Sequence, residues 1–130
     1  MKSTKRYLVD SDILIDGLRK KQAAAEYLDS MGNWSHSIVS SLELLAGARN
    51  KKEIEAIEKS LALYKRIALS SEVGDAGLEL LKKYAKSDGM GALDALIAAT
   101  AIREGLTLTT KNRKHFRNVE GLEIEVPDYS

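Results

Sequence analysis

Short apolar segments of the strand type alternate with segments of helical pattern along almost the whole of this 130-residue chain. Five segments are predicted to be strands: Tyr7 to Val9, His36 to Val39, Ile67 to Leu69, Leu106 to Thr109 and Leu122 to Val126. Six helices are predicted between the strands. The first is short and begins at about Ile13, the second spans Gln22 to Met31, and the third opens at Ser40. The fourth carries Ile54, Ile57, Leu61 and Tyr64, the fifth spans Val73 to Ala85, and the sixth spans Ala92 to Arg103. Parallel strands need long crossover connections, which are usually helices. The order therefore predicts an α/β fold, a three-layer α/β/α sandwich with a mostly parallel sheet.

In such a fold the functional crevice lies outside the carboxyl ends of the strands. Asp10 follows the first predicted strand, and Glu43 lies near the start of the helix after the second. The segment Ala92 to Arg103 is apolar nearly all round, so it is expected to be the most buried helix. A functional site is therefore expected near Asp10 and Glu43.

The composition is that of one ordinary globular domain, expected to span residues 1–130, with 44% hydrophobic and 30% charged residues. Twenty basic residues balance 19 acidic ones, so net charge gives no argument for or against nucleic acid. The chain has no cysteine, which excludes disulfides, thiolate metal sites and a cysteine nucleophile. No apolar stretch reaches the length of a membrane span, and the amino terminus lacks the pattern of a signal peptide. We expect a cytoplasmic protein with no membrane association.

The apolar segments are interrupted by carboxylates and by almost nothing else that is charged. Asp10 and Asp12 stand where the first strand should end, Glu43 is the only ionisable residue between positions 37 and 48, and Asp94 is the only one between positions 91 and 102. An ionised carboxylate in such surroundings needs a cation, hydrogen-bond donors or a proton. Because neither Lys nor Arg lies inside these segments, a bound metal is a natural candidate for the missing charge.

Each of these acids also has an ordinary structural explanation. Asp12 could be a helix N-cap, Glu43 the partner of Ser40 in a capping box, and Asp94 an acid favoured by the helix dipole. That explanation is weaker for the whole set, because three separate apolar segments each contain such a carboxylate. A cluster of Asp and Glu without Cys suits Mg²⁺ or Mn²⁺ better than Zn²⁺, and such ions activate water for attack on phosphorus.

Four motifs resemble those of the PIN-domain ribonucleases, in the layout of the VapC toxins of toxin–antitoxin modules. They are Tyr-Leu-Val-Asp10-Ser-Asp12, Ser-Leu-Glu43-Leu-Leu-Ala-Gly47, Leu-Asp94-Ala-Leu-Ile-Ala-Ala, and Leu-Thr-Leu-Thr109-Thr110-Lys-Asn112-Arg-Lys-His115-Phe116. Each motif alone is a weak signal, but all four stand in the family's order and spacing. The resemblance covers nearly the whole chain.

This resemblance implies a metal-dependent endoribonuclease in which Asp10, Glu43 and Asp94 are catalytic and hold Mg²⁺ or Mn²⁺. Asp12 would be an auxiliary metal ligand. Asn112 stands where many relatives have a fourth acid, and its amide carbonyl could still ligate the metal. Whether the site binds one metal ion or two is therefore left open. The resemblance further implies RNA as substrate, a homodimer, and a cognate antitoxin protein as partner.

A dense basic cluster follows the predicted strand that ends at Thr109: Lys111, Arg113, Lys114, His115 and Arg117. We predict that Lys111, Arg113 and Lys114 bind the RNA backbone. We also predict that Ser11, Thr109 and Thr110 hydrogen-bond the ligating carboxylates or the scissile phosphate. The alternative is a solvated turn balanced by the acids Glu120, Glu123 and Glu125. No catalytic role is assigned to His115, because the acids supply the chemistry.

Three other functions stay open at this point. A housekeeping RNA-processing nuclease of the same family would carry the same motifs. A haloacid-dehalogenase-type phosphatase also uses a strand that ends in Asp-x-Asp, with Asp10 as nucleophile, but Glu43 and Asp94 would then have no role. A non-catalytic partner-binding domain would tolerate neutralisation of Asp10 and Asp94.

Overall fold

Among residues 5–129, which the computed structural model describes, five strands form one sheet in the order β3-β2-β1-β4-β5, and every pairing is parallel. The strands are β1 (Tyr7–Val9), β2 (Trp34–Ser37), β3 (Lys65–Ile67), β4 (Thr107–Thr109) and β5 (Ile124–Glu125). The helices are α1 (Ser11–Leu18), α2 (Gln22–Ser30), α3 (Ile38–Ala46), α4 (Lys51–Leu61), α5 (Ser71–Asp88), α6 (Ala92–Glu104) and α7 (Arg113–Phe116). The expected bounds of the domain, 1 and 130, and the first four residues of the amino terminus lie outside the described residues.

Alternating side chains of the central strand β1 point into two different cores. Leu8 pairs with Leu108 of β4, and both pack with the buried face of α6 and with Phe116. Tyr7 and Val9 point to the opposite face, where they pack with α1, Leu44 and Leu61. Because each core lies between the sheet and a layer of helices, the three-layer α/β/α prediction is confirmed.

The helix α6 is the apolar helix expected from the sequence. Six of its residues are buried, and Gly105 ends it in the left-handed conformation with φ 67°. The α4 helix contains the predicted Ile54, Ile57 and Leu61 and ends before Tyr64; Leu61 is buried, whereas Ile54 is exposed. Among the described residues, we find no helix with the length and apolar character needed to cross a bilayer.

The strand order contains a reversal at β1. The chain moves outward from β1 to β2 and β3 and then returns to pair β4 with the other side of β1. Parallel α/β sheets form a crevice at the carboxyl ends of the strands where the order reverses in this way. Here it opens beside Asp10, which follows β1, and Thr110, which follows β4.

Two predicted helix starts are corrected by the structure. The helix after β2 begins at Ile38 because the hydroxyl of Ser37 accepts from the Val39 N–H at 3.0 Å, so β2 is Trp34–Ser37 and Ser40 is not the cap. The first helix begins at Ser11, and its N-cap is Asp10 instead of Asp12. In both places a side-chain acceptor next to the strand starts the helix earlier than predicted.

Other element bounds also differ from the predictions. The strand expected at positions 67 to 69 lies at Lys65–Ile67, and α5 is longer at both ends than predicted. The short helix α7 was not predicted at all. Its side chains are basic except for Phe116, which is fully buried and anchors the turn to the core. Trp34, the first residue of β2, is buried and stacks on Tyr64.

Candidate metal and active site

Asp10 is a buried carboxylate held by two hydrogen bonds at the carboxyl end of β1. It is 7% exposed, its Oδ1 accepts from the Ser11 N–H at 2.8 Å, and its Oδ2 accepts from the Thr110 hydroxyl at 2.8 Å. Burial raises the pKa of the Asp10 carboxyl to about 7, and the negative charge of Asp12 and, to a smaller extent, that of Asp94 add to the rise. Two hydrogen bonds are thus not enough to compensate the charge of Asp10.

Asp12 lies in the first turn of α1 and faces the loop that follows β4. Its Oδ2 accepts from the Lys111 N–H at 3.0 Å and lies 3.3 Å from the Thr110 hydroxyl oxygen. Its Oδ1 is buried and has no hydrogen-bond partner among the described residues. Burial raises the pKa of Asp12, with the Lys111 N–H opposing the rise. A buried carboxylate oxygen without a donor is the kind of atom that a cation would satisfy.

Glu43 is connected to the start of α1 by a serine hydroxyl. Ser11 Oγ donates to Glu43 Oε1 at 2.7 Å and lies 2.8 Å from Ser40 Oγ. A serine has one hydroxyl proton, so Ser11 donates to the carboxylate and accepts from Ser40. Ser11 is buried and Ser40 is fully buried, so this chain of hydrogen bonds fixes the position of Glu43 relative to Asp10.

Asp94 lies in the first turn of α6 on the other side of the crevice. Its Oδ2 accepts from the Gly91 N–H at 3.0 Å and lies 3.1 Å from His115 Nδ1. The side-chain nitrogen of Asn112 lies 2.7 Å from the same Nδ1. The predicted ligands Asp94 and Asn112 therefore meet at the imidazole of His115.

The predicted acids share one edge of the sheet but do not share one coordination sphere. Within residues 5–129, no three acidic or histidine side chains lie close enough together to hold an ion. The charges of Asp12 and Asp94 nevertheless act on Asp10, which places the three acids around the same crevice. An all-oxygen donor set, the raised pKa of Asp10 and the unpartnered oxygen of Asp12 fit a hard divalent cation such as Mg²⁺ or Mn²⁺.

The predicted substrate-binding residues differ in their surroundings. Arg113 and Lys114 are exposed at the start of α7. The ammonium group of Lys111 instead donates to Asp16 Oδ2 at 2.6 Å, and Tyr129 donates to the same oxygen at 2.9 Å. The Lys111 hydrogen bond is the main reason why the pKa of Asp16 is lowered.

Contrary to the prediction, the side chain of Thr109 does not face the acids. Its side chain is fully buried on the opposite face of β4, and its Oγ1 lies 2.6 Å from the Tyr27 hydroxyl oxygen. Tyr27 in turn donates to Glu125 at 2.8 Å. Side chains alternate along a strand, so Thr109 and Thr110 cannot both turn to the crevice. Thr110 is the one that does.

Sequence reasoning missed three contributors to this region. The sequence pattern assigns no role to His115, although it contacts Asp94. The pattern indicates neither Asp16 nor Tyr129. One signal was available for Asp16, because it follows Asp12 by four residues and so lies on the same face of α1. Neither local pattern nor spacing indicates Tyr129, which reaches Asp16 from the far end of the chain.

Comparisons with a family model and with known sequences indicate the same protein family. A sequence model of the PIN domain family matches residues 7–122. Ribonuclease VapC19 of Mycobacterium tuberculosis is 35% identical over 114 residues, which cover 84% of this chain and 90% of that protein. Ribonuclease VapC1 of Methanocaldococcus jannaschii is 27% identical over 131 residues, covering 98% of this chain and 90% of that protein.

Solved structures agree with this result. A toxin–antitoxin complex from Klebsiella pneumoniae contains a chain with a TM-score of 0.80 and 25% identity, covering 93% of this chain and 97% of that one. VapBC2 from Rickettsia felis, bound to a DNA fragment from its promoter, gives a TM-score of 0.80 at 24% identity, covering 95% of this chain and 99% of that one. At 24% identity, the similarity to VapBC2 shows only that the two chains share a fold. From the family match, the sequence relatives and the shared fold together, the chain belongs to the PIN domain family, among its VapC ribonucleases.

Proposed function

We propose that this protein is the endoribonuclease toxin of a toxin–antitoxin pair, and that it hydrolyses RNA phosphodiester bonds with Mg²⁺ or Mn²⁺. The observation that carries the proposal is the buried carboxylate of Asp10, whose pKa is about 7 beside Asp12 and Asp94. A fold does not maintain such uncompensated charge for stability, because buried carboxylates that repel each other cost free energy. Perturbed acids in a crevice at a strand reversal are typical of a functional site.

The proposed metal ligands are Asp10, Glu43 and Asp94, with Asp12 and Asn112 as further candidates. A divalent cation there supplies Lewis-acid chemistry, since it lowers the pKa of the attacking water and stabilises charge on the phosphoryl oxygens. The residues of the chain orient the ligands. Ser11 holds Glu43, and Thr110 holds Asp10 and lies near Asp12.

The RNA backbone is proposed to lie along the start of α7. Arg113 and Lys114 are exposed there, next to Asn112 at the rim of the crevice. Exposed basic side chains bind phosphates without reading the sequence of bases. This position would bring the scissile phosphate close to Asp10 and Asp94 without either acid having to contact the bases.

The antitoxin is proposed to occupy a groove on the Glu43 side of the site. A groove of about 590 Å³ lies between α1, α3 and α4 and includes Glu43 in its lining. Ile15, Leu18 and Ile57 supply apolar surface, and Arg19 and Arg49 supply charge. An amphipathic segment could bury its apolar face there and cover Glu43 at the same time.

A homodimer is proposed from exposed apolar side chains. Leu42 on α3, Leu78 on α5 and Leu93 on α6 are 59%, 55% and 46% exposed. Leu42 and Leu93 each precede one of the proposed metal ligands in the chain. The helix α6 packs against both α3 and α5, so these side chains lie on neighbouring helices, where a contiguous apolar patch would favour a protein interface. Light scattering coupled to gel filtration measures the mass of the particle directly.

The proposed activity is tested with a fluorescently labelled RNA and purified protein in Mg²⁺, in Mn²⁺ and in EDTA. Cleavage is expected with either metal and none with EDTA. Asp10→Asn should abolish cleavage. Asp75→Asn should not, because Asp75 is an exposed acid on α5, outside the crevice. Cleavage by Asp10→Asn at the wild-type rate would reject the proposed site.

Further experiments distinguish the alternative functions. If the protein is a toxin, its expression stops growth of the host, and the product of a neighbouring short gene relieves the arrest. A housekeeping nuclease cuts RNA but does not stop growth. A phosphatase with Asp10 as nucleophile would form an aspartyl-phosphate at Asp10, which acid quenching and mass spectrometry detect, and ¹⁸O from water would enter the released phosphate. A non-catalytic partner-binding domain would keep its cellular effect in Asp10→Asn/Asp94→Asn.

A further inference from the structure

The imidazole of His115 lies between two residues of the proposed metal site. Its Nδ1 is 3.1 Å from Asp94 Oδ2 and 2.7 Å from the side-chain nitrogen of Asn112. A ring nitrogen without a hydrogen would place its lone pair against the carboxylate of Asp94, which is repulsive. The tautomer with hydrogen on Nδ1 is therefore the favourable one, and it donates to Asp94.

Asn112 can take part in the same arrangement. A half-turn of its amide exchanges the oxygen and the nitrogen and brings the amide oxygen to the Nδ1 hydrogen. The amide oxygen would then accept from the same Nδ1 hydrogen that Asp94 Oδ2 accepts from, as a bifurcated hydrogen bond, and the amide NH₂ would no longer point at it. In this orientation the Asn112 amide and the Asp94 carboxylate fix the imidazole together.

The two oxygens of the Asp94 carboxylate are unequal. Oδ2 accepts from the Gly91 N–H at 3.0 Å and from His115, so it has two donors. Oδ1 receives no hydrogen bond from a described residue. The hydrogen bond from the Gly91 N–H belongs to the N-terminal cap of α6, so this carboxylate is tied to the backbone by one oxygen only. The described residues thus satisfy Oδ2 and leave Oδ1 without a hydrogen bond.

His115 is itself held in a fixed position. Phe116, the next residue, is fully buried in the core and anchors α7. The Nε2 side of the ring lies next to Gly89. A Cβ atom placed on Gly89 would be only 3.8 Å from Nε2. Gly89 ends α5 in the left-handed conformation with φ 69°. The ring is therefore fixed with its Nδ1 edge, and not its Nε2 edge, towards Asp94.

We propose that His115 is a positioning residue that holds Asp94 Oδ2 through its Nδ1–H and so presents Oδ1 to the divalent cation. This inference rests on the proposed metal site. Partners that orient a ligating carboxylate commonly change metal affinity 10- to 100-fold when they are removed. Loss of the imidazole frees the Asp94 side chain to rotate, which weakens the cation site without removing a ligand.

The test is the affinity for Mn²⁺ alone, measured by isothermal titration calorimetry at one fixed pH. His115→Ala should bind Mn²⁺ about tenfold more weakly or worse. His115→Asn can place its amide nitrogen where Nδ1 stands and should retain most of the affinity. His115→Gln extends to the position of Nε2 and should behave like His115→Ala. The melting temperature of each metal-free variant reports folding separately.

Asn118→Ala is the matched control, because Asn118 lies just after α7 and donates to Asp88 instead of Asp94. Its Mn²⁺ affinity should equal that of the wild type. The proposal is overturned if His115→Ala changes only the melting temperature, if the Asn and Gln variants bind equally well, or if Asn118→Ala weakens binding as much as His115→Ala. A wild type that binds no Mn²⁺ would instead reject the metal site on which the proposal depends.

Discussion

Thr110 and Asp10, which are 100 positions apart in the chain, are joined by a hydrogen bond of 2.8 Å between the threonine hydroxyl and the carboxylate. The bond connects the ends of the adjacent strands β4 and β1. The same hydroxyl lies 3.3 Å from Asp12 and accepts from the Asn112 N–H at 3.0 Å. Thr110 therefore organises the loop and the acids together, from a fully buried position.

Substitution of Thr110 by Val is expected to keep the shape of this residue and remove the donor. The Thr110 hydroxyl lowers the pKa of Asp10, so its loss should raise that pKa further above 7. The acidic limb of the pH profile of RNA cleavage should move to higher pH, and stability should fall by about 1–3 kcal/mol. Thr110→Ser keeps the hydroxyl and should follow the wild type. A Thr110→Val profile that coincides with the wild type would contradict this role.

The stability of the metal-free protein is expected to depend on pH through Asp10. Its pKa rises from 3.8 in the unfolded chain to about 7 in the folded protein, so the folded state binds the proton more tightly. This contribution to stability is present below about pH 4 and is lost as the pH rises through about 7. The loss should be a few kcal/mol, since one pKa unit corresponds to about 1.4 kcal/mol.

The measurement compares unfolding of the wild type and of Asp10→Asn in EDTA between pH 4 and pH 8. The wild type should lose stability relative to the variant as the pH rises. Mn²⁺ should restore it at the upper end, because the cation replaces the proton. Parallel stability curves for the two proteins would show that the carboxylate of Asp10 does not titrate in this range.

The fold was largely predictable from the sequence, because it depends on patterns that repeat along the chain. Alternating strand and helix segments gave the parallel three-layer architecture, and a strand followed directly by Asp10 marked the functional edge. The errors lie at boundaries. Ile38 and Val39 are β-branched and favour a strand, yet Ser37 caps a helix that contains them. Neighbouring propensities could not show which preference would prevail.

The acids of the candidate site could be proposed from the sequence, but the groups that hold them could not. Each acid interrupts an apolar segment, which is visible locally. The bonds from Thr110 to Asp10, from His115 to Asp94 and from Lys111 to Asp16 join residues far apart in the chain. Such pairs depend on how loops close around the sheet, and one sequence alone carries no signal for that.

Asp94→Asn is expected to abolish RNA cleavage while it leaves the fold intact. The amide is nearly isosteric and its oxygen can still accept from the Gly91 N–H, so the cap of α6 survives. Removal of one negative charge near Asp10 should also lower the pKa of Asp10, because Asp94 raises it. The melting temperature without metal should therefore be unchanged or higher, and the rise that Mn²⁺ causes in the wild type should shrink. Full cleavage together with a sharply lower melting temperature would show that Asp94 is structural.

The basic residues around α7 are expected to contribute unequally to RNA affinity. Arg113 and Lys114 are exposed, whereas the ammonium group of Lys111 already pairs with Asp16. In the Asp94→Asn background, which should not cut the RNA, each of Arg113→Ala and Lys114→Ala should lower the slope of log affinity against log salt by about 0.7. Lys111→Ala should change the slope less and instead lower the melting temperature, because it removes the ammonium group 2.6 Å from Asp16 and leaves only Lys21, at 4.0 Å, among the described cations. Fluorescence anisotropy with a labelled single-stranded RNA, repeated at several salt concentrations, gives these slopes. Equal slopes for Lys111→Ala and Arg113→Ala would mean that RNA takes Lys111 away from Asp16 when it binds.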